Sequence, residues 1–246
     1  MSAATETPLL EAHGVTAGYV PGVDIVHDMH LVCAEGELMG IIGPNGAGKS
    51  TLIKTLFGLV EVRAGTVHLR GEDITGSRAH EMVQRGVGYV PQTNNVFAQL
   101  TIEDNLRMGA YLAPSRFHER MDHVVELFPM LGQRRSTQAG SLSGGQRQML
   151  AMARALMTEP VVLLLDEPSA GLSPMMQDQV FDWIEGINDA GTAIVMVEQN
   201  ARRCLQICDR GYVLDSGTNA YEASGDDLLK DPKVIELYLG SLARVE

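Results

Sequence analysis

The chain has 246 residues, of which 45% are hydrophobic and 20% charged, and this composition predicts one globular domain with a sizeable core. Its formal net charge of -12 argues against broad attraction to nucleic acid or to an anionic membrane surface, because phosphate groups would repel the average surface. The three cysteines, Cys33, Cys204 and Cys208, are too few for a disulfide framework and predict buried thiols in a reducing compartment.

Strand patterns dominate the first part of the chain. Residues 1–8 lack the basic and apolar regions of a secretory signal, so the chain is expected to stay where it is made. Short β-branched or alternating segments bounded by Gly or Pro predict strands at residues 9–17, 29–34, 38–42, 65–69 and 87–90. Helical spacing occurs between these strands, at residues 49–59 and 78–85.

Helix patterns replace strand patterns between residues 101 and 158, where Thr101 followed by Asp104 predicts a capped helix start. Further helices are predicted at residues 117–128 and 146–157, then after Ser173-Pro174 and near Asn200. Strands return at residues 161–165, 192–197 and 211–214. The first of these is apolar throughout, which is typical of a strand covered on both faces and is far shorter than the roughly 20 residues of a membrane span. The sequence therefore predicts a mixed α/β core interrupted by a helical insert, and any membrane role would need a partner.

Residues 43–50 match the phosphate-binding pattern G-x-x-x-x-G-K-[ST], after a predicted strand and at the start of a predicted helix. Its glycines let backbone N–H groups turn towards phosphate oxygens, and the helix N-terminus adds positive partial charge. Lys49 is predicted to reach the β- and γ-phosphates, and the Ser50 hydroxyl to ligate Mg²⁺. The pattern predicts binding of ATP or GTP, but kinases, GTPases and transport ATPases share it. The predicted nucleotide-binding residues here are Gly43, Pro44, Asn45, Gly46, Ala47, Gly48, Lys49, Ser50 and Thr51.

Two consecutive carboxylates, Asp166 and Glu167, follow the apolar strand at 161–165. Neighbouring residues of a strand point in different directions, so the two acids are expected to have different roles. Asp166 suits a water-mediated contact with Mg²⁺, and Glu167 is placed to polarise the attacking water as a general base.

A second anion-binding pattern lies at the start of the helix beyond residue 146, where residues 142–146 read Leu-Ser-Gly-Gly-Gln. Here the sequence resembles the ABC ATPase family, whose signature is LSGGQ. Tyr19, the phosphate loop, Gln92, the signature and the Asp166-Glu167 pair occur in that family's order. The resemblance implies a P-loop NTPase fold of class α/β, with a RecA-like core, an N-terminal antiparallel β-subdomain and an inserted helical subdomain.

The resemblance also implies a domain organisation and a set of roles. Residues 1–246 form a single ABC ATPase domain, in which 1–92 and 159–246 are the β-subdomain and core, and 93–158 the helical subdomain. Tyr19 stacks on adenine, and Gln92 senses Mg²⁺ and the attacking water. Residues 93–99, with the first helices of the insert, dock a membrane partner. In a head-to-tail dimer, the signature of one subunit closes over the ATP held by Lys49 of the other; its residues are Ser143, Gly144, Gly145 and Gln146.

Two positions depart from the usual pattern of the family. Gln199 stands where a switch His is usual, and Ser173 where an Asp is favoured. A Gln amide can donate to the γ-phosphate but cannot carry charge, so Glu167 is expected to do more of the catalysis. Together with residues 165–169, 197–201 and 209–214, these departures resemble the second ATPase subunit of branched-chain amino acid uptake systems.

The function implied by this resemblance is an ATPase subunit that powers an importer at the cytoplasmic face of the membrane. Its expected partners are permease subunits and a second ATPase subunit, identical or different, and its expected cofactors are ATP and Mg²⁺. Three alternatives stay open: the ATPase of a related importer of urea or short amides, a non-transport ABC ATPase, and a P-loop small-molecule kinase. The kinase would leave the Ser143 signature unexplained.

Overall fold

The chain folds around two β-sheets in the computed structural model, which describes residues 8–239. The first sheet contains β1 (Leu10–Ala17), β2 (Val26–Cys33), β4 (Val62–Leu69) and β5 (Glu72–Asp73). Its order is β2-β1-β4-β5 and every pairing is antiparallel. Residues 1–7, which carry most of the segment considered for a secretory signal, lie outside the described residues.

The second sheet is mixed and has six strands. It contains β3 (Leu38–Ile42), β6 (Val87–Val90), β7 (Val162–Asp166), β8 (Ala193–Val197), β9 (Arg210–Asp215) and β10 (Thr218–Ser224). The order is β10-β9-β3-β8-β7-β6, in which only β10 runs antiparallel to its neighbour among the described strands. The predicted α/β class with an antiparallel β-subdomain is confirmed.

The helices fall into two groups along the chain. Those next to the sheets are α1 (Lys49–Leu56), α2 (Ala79–Gln84), α7 (Pro174–Asp189), α8 (Ala201–Ile207), α9 (Gly225–Lys230) and α10 (Pro232–Val234), the last continuing as a π-helical turn at Ile235–Leu239. Those of the insert are α3 (Ile102–Gly109), α4 (Phe117–Leu127), α5 (Pro129–Gln133) and α6 (Gly144–Leu156), with 3-10 turns at Pro114–Arg116 and Ala139–Ser141. Within residues 8–239, no helix is long and apolar enough to cross a membrane.

Burial on both faces explains the apolar sequence of β7. Leu163 and Leu165 pack into the cluster that contains the insert helices and α7. Val162 and Leu164 face the opposite cluster, which lies between the central sheet and the antiparallel sheet. Alternate residues of one strand thus join two hydrophobic cores, because side chains of a strand alternate between the faces of its sheet. The three cysteines are buried and free, as predicted.

Local capping signals mark most helix starts. Thr101 caps α3, since its Oγ1 accepts a hydrogen bond from the N–H of Asp104 at 3.0 Å. Asp231 and Asn200 likewise cap α10 and α8 with their side chains. Ser173 precedes Pro174 at the start of α7, but its side chain makes no capping hydrogen bond. The proline itself therefore accounts for this helix start, because its fixed φ suits the first helical position.

The structure shortens one predicted helix and adds a strand that the sequence pattern did not predict. The helix predicted at residues 49–59 ends at Leu56, and Gly58 follows with a φ of 76° that leaves the right-handed helix. Strand β10 escaped prediction because it is an edge strand whose residues alternate between exposed and half-buried, so its sequence is largely polar. It pairs with β9 through a turn in which Ser216 and Gly217 have φ values of 48° and 82°.

Phe128 links the insert to α7 and provides a test of this packing. It is 1% exposed and its ring meets Trp183 edge to face, with centroids 6.0 Å apart. We expect Phe128→Ala to lower the free energy of unfolding by about 3–5 kcal/mol, because it leaves a cavity in the core, as measured by urea denaturation. Phe97→Ala is the matched control, since Phe97 is 47% exposed, and should cost no more than about 1 kcal/mol. Equal losses in the two variants would contradict the packing.

Candidate nucleotide-binding site

Four neighbouring parallel strands, β3, β8, β7 and β6, end at the same edge of the central sheet. The phosphate loop follows β3 directly, and Gln199 follows β8. Asp166 is the last residue of β7 and Gln92 follows β6. In open α/β sheets, ligands bind outside the carboxyl ends of the strands. Residues that are far apart in the sequence thus converge where a ligand is expected.

The phosphate loop depends on glycine where it leaves β3. Gly43 has a φ of 152°, and a Cβ atom on it would lie 2.2 Å from the carbonyl oxygen of Leu214. Lys49 begins α1 and is 4% exposed. Its Nζ donates to the carbonyl oxygens of Gly43 at 2.9 Å and Pro44 at 3.2 Å. The loop therefore folds back around its own lysine.

Burial lowers the pKa of Lys49, and the nearby carboxylates of Glu167, Glu198 and Asp166 oppose that shift. The ammonium group thus lies among three acids at the strand ends. Such a desolvated cation interacts strongly with the oxygens of a bound phosphate, because little water screens it.

Asp166 and Glu167 contact different groups, in agreement with the alternation of β7. Asp166 is 2% exposed, and its Oδ2 lies 3.6 Å from Lys54 Nζ and accepts from the Tyr89 hydroxyl at 3.3 Å. Its Oδ1 is buried and has no hydrogen-bond partner in the described part of the chain. Glu167 has a φ of 47°, and its Oε2 accepts from Gln92 Nε2 at 2.7 Å. The sequence analysis gave Gln92 and Glu167 separate roles at the attacking water, and the structure places their side chains in contact.

Tyr89 and Lys54 are site residues that the sequence analysis missed. Burial, followed by the adjacent Asp166 carboxylate, raises the pKa of Tyr89 well above its usual range, so the phenol stays protonated and donates to Asp166. The ring also stacks on Phe57 with centroids 4.8 Å apart. Neither residue belongs to a motif, and only their position next to the phosphate loop and β6 could have indicated them.

Glu198 is a third residue that sequence patterns missed. It is 1% exposed and follows the last residue of β8. Its carboxylate accepts hydrogen bonds from the backbone N–H and the hydroxyl of Ser169, which lies in the loop after Glu167. It also accepts from the backbone N–H groups of Gln199 and Asn200. Burial raises the pKa of Glu198, and these hydrogen bonds oppose the shift. Gln199 itself points to the phosphate loop, where its Nε2 donates to Asn45 Oδ1 at 3.2 Å.

The loop that carries Tyr19 is fastened to β4 by Arg63. The guanidinium of Arg63 donates to the carbonyl oxygens of Gly18 and Val23, each at 2.9 Å, and pairs with Asp24. The Tyr19 side chain is 56% exposed. An exposed ring on a fixed loop is suited to stacking on a planar ligand.

The remaining residues of the loop and the signature occupy two separate places. Gly46 is exposed, whereas Ala47, Gly48 and Thr51 are buried and Ser50 is half-buried.

Ser143 caps α6, because its Oγ accepts from the N–H of Gln146 at 3.3 Å, while Gln146 Oε1 accepts from the N–H of Ser143 at 3.1 Å. Leu172 packs against Gly144 and Met176 against Gly145. Within residues 8–239, Ser143 makes its hydrogen bonds with its own helix, and no hydrogen bond joins the signature to the phosphate loop of the same chain.

Fold and site together define a P-loop nucleotide-binding cassette with a signature helix in an inserted helical region. The family model described as ABC transporter matches residues 26–170. The chain belongs to the ABC transporter family of ATP-binding proteins and is an ATPase.

The relatives extend over nearly the whole chain. The high-affinity branched-chain amino acid transport ATP-binding protein BraG of Pseudomonas aeruginosa is 41% identical, over 90% of this chain and 96% of its own. The probable branched-chain amino acid transport ATP-binding protein LivF of Archaeoglobus fulgidus is also 41% identical, over 94% and 99%. The lipopolysaccharide export ATP-binding protein LptB of Escherichia coli is 34% identical, over 89% and 92%. Among solved structures, the ATP-binding cassette MJ1267 in its ADP conformation has a TM-score of 0.83 at 27% identity, covering 95% of this chain and 99% of that one.

Arg63 provides a test of the site geometry. We expect Arg63→Met to weaken ATP binding by about 3–10-fold, because the Tyr19 loop loses its hydrogen bonds, while kcat changes little. Binding of a fluorescent ATP analogue, with the unfolding midpoint recorded in parallel, measures this. Arg78→Met is the control, since the Arg78 side chain is 75% exposed and should leave binding unchanged. Parental affinity in Arg63→Met would show that the loop needs no such anchor.

Proposed function

We propose that this ATPase powers an importer of branched-chain or other hydrophobic amino acids. The observation that carries the proposal is the full-length similarity to two ATP-binding proteins of branched-chain amino acid transport, at 41% identity. The motifs at residues 165–169 and 197–201 support the same branch of the family. ATP hydrolysis at the strand ends would supply the free energy for uptake.

The phosphate loop binds the triphosphate in this proposal. Backbone N–H groups of the loop at residues 43–51, in which Pro44 has none to donate, and the Lys49 ammonium hold the β- and γ-phosphates. Tyr19 stacks on the adenine. The Ser50 hydroxyl, the Gln92 amide oxygen and Asp166 are the groups that would hold Mg²⁺, and the unpartnered, buried Oδ1 of Asp166 fits that role. When bound, Mg²⁺ neutralises charge on the phosphate oxygens.

Glu167 acts as the general base on the attacking water. The Gln92 amide donates to its Oε2 at 2.7 Å and orients the carboxylate. Gln199 lies across the site, next to Asn45, where its amide can donate to the γ-phosphate. Because a Gln side chain takes up no proton, proton acceptance falls to Glu167 alone.

A second ATPase subunit completes each nucleotide site. The signature residues Ser143 to Gln146 present a hydroxyl and the N–H groups of a helix start, which favour negative charge. Since no hydrogen bond within the described residues joins them to the phosphate loop of their own chain, they serve the ATP held by a partner, in a dimer of identical or different subunits.

A membrane permease is the other proposed partner, and an apolar groove beside β6 suits it. The cavity has a volume of about 470 Å³ and is lined in part by Phe57, Tyr89, Phe97, Met108 and Tyr111. Phe97, Met108 and Tyr111 are about half exposed, at 47%, 52% and 53%. We propose that residues 93–158 form a subdomain inserted between 1–92 and 159–246, and that this groove receives the cytoplasmic loops of the permease. The chain would then lie on the cytoplasmic face of the membrane.

Glu167→Gln tests the proposed base. We expect ATP to bind with unchanged affinity and hydrolysis to fall about 10²–10⁴-fold, because an amide accepts no proton from water. Phosphate release and nucleotide binding measure the two effects. Glu126→Gln, at an exposed carboxylate on α4, serves as the matched control and should hydrolyse ATP normally. Normal turnover in Glu167→Gln would remove Glu167 from the role of base.

Met108→Glu tests both the groove and the solute. In vesicles reconstituted with the co-purified permeases and binding protein, we expect ATP-dependent uptake of leucine by the parent. Met108→Glu should lose uptake by about tenfold or more and keep basal ATPase activity, since a carboxylate in the apolar groove opposes docking. Leu237→Glu is the control, at a residue that is 62% exposed on the π-helical turn. Uptake of urea instead of leucine, or export of a lipid-linked substrate, would contradict the proposed solute.

A further inference from the structure

A buried carboxylate joins two loops of the site. Glu198 is 1% exposed, and its two oxygens divide four donors between them. Oε1 accepts from the N–H of Ser169 at 2.8 Å. Oε2 accepts from the Ser169 hydroxyl at 3.0 Å and from the N–H groups of Gln199 at 3.0 Å and Asn200 at 3.3 Å.

This arrangement exceeds what capping of α8 requires. Asn200 already caps that helix, since its own side chain accepts from the N–H of Arg203. The bonds to Ser169 reach another loop, 29 residues away in the sequence. Burial of a carboxylate is unfavourable, and hydrogen bonds to it offset that cost only in part. A neutral amide could not replace it, because one amide oxygen cannot accept from four donors. The carboxylate is therefore suited to holding two loops in a fixed relation.

Both loops lead directly to reacting groups. Ser169 lies two residues after Glu167, whose carboxylate contacts Gln92. Gln199 contacts Asn45 of the phosphate loop through its side chain, while its backbone is held by Glu198. We infer that Glu198 is a positioning residue for ATP hydrolysis, an inference that rests on the roles proposed for Glu167 and Gln199. Glu198 sets the position of the general base and of the γ-phosphate donor together.

A double-mutant cycle tests this coupling without removing the buried charge. Ser169→Ala deletes one donor to Glu198, and Gln199→Ala deletes the side chain that Glu198 positions. We expect each single variant to lower kcat by about 3–10-fold with KM for ATP within about twofold of the parent. The loss of kcat in the double variant should be smaller than the product of the two single losses by about threefold or more, because both substitutions act through one carboxylate. Additive effects would overturn the inference.

Glu198→Gln tests the carboxylate directly. It should lower kcat by about tenfold or more with KM for ATP nearly unchanged, whereas a change confined to KM, or parental kinetics, would overturn the inference. If thermal unfolding shows that this variant does not fold, the double-mutant cycle of Ser169→Ala and Gln199→Ala decides the question by itself. Glu222→Gln is the matched control, because Glu222 accepts from Arg210 and Tyr212 away from the strand ends, and it should keep parental activity.

Glu167→Gln, assayed in parallel, separates the two proposals. Normal turnover in that variant would contradict the role of base proposed for Glu167, on which the inference about Glu198 rests. An inactive Glu167→Gln combined with additive effects at Ser169 and Gln199 would leave the site intact and overturn the role of Glu198 alone.

Discussion

Backbone pairing of the parallel strands continues past their ends and fixes the spacing of the site. The N–H of Glu167 donates to the carbonyl oxygen of Val197 at 2.9 Å, and the N–H of Glu198 donates to that of Ile41 at 3.1 Å. These bonds tie the ends of β7, β8 and β3 together where the strands give way to loops. Because both faces of β3, β7 and β8 are buried, the strands have little freedom to slide. The loops that follow these strands are therefore held rigidly where they begin.

Two lysines lie among the three carboxylates at this edge. Lys49 lies among Asp166, Glu167 and Glu198, and Lys54 pairs with Asp166. Each acid has its own neutral donor as well: Tyr89 for Asp166, Gln92 for Glu167 and Ser169 for Glu198. Buried charges are tolerated when they are paired and hydrogen-bonded, and here each donor also sets the direction of its carboxylate. The same hydrogen bonds that stabilise the carboxylates thus also fix their directions.

Two other surfaces lie outside this edge of the sheet, and one of them shares a residue with it. The signature at the start of α6 is held by its own capping box and by contacts with Leu172 and Met176, close to the start of α7. The apolar groove beside β6 shares Tyr89 with the site, since that ring lines the groove while its hydroxyl donates to Asp166. A partner bound in the groove would therefore contact Tyr89, whose hydroxyl donates to the Asp166 carboxylate.

The sequence by itself determined the elements whose cause is local. Strands at 38–42 and 87–90, the cap at Thr101 and the phosphate loop follow from neighbouring residues, and the order of motifs indicated the family. Strand β10 lacked an apolar pattern because its residues alternate between exposed and half-buried, so neither of its faces is fully buried. Only the tertiary structure paired Gln92 with Glu167, Gln199 with Asn45, and Glu198 with Ser169, at sequence separations of 75, 154 and 29 residues. Such pairs leave no periodic signal, because they arise from the order of strands in the sheet, which local patterns do not encode.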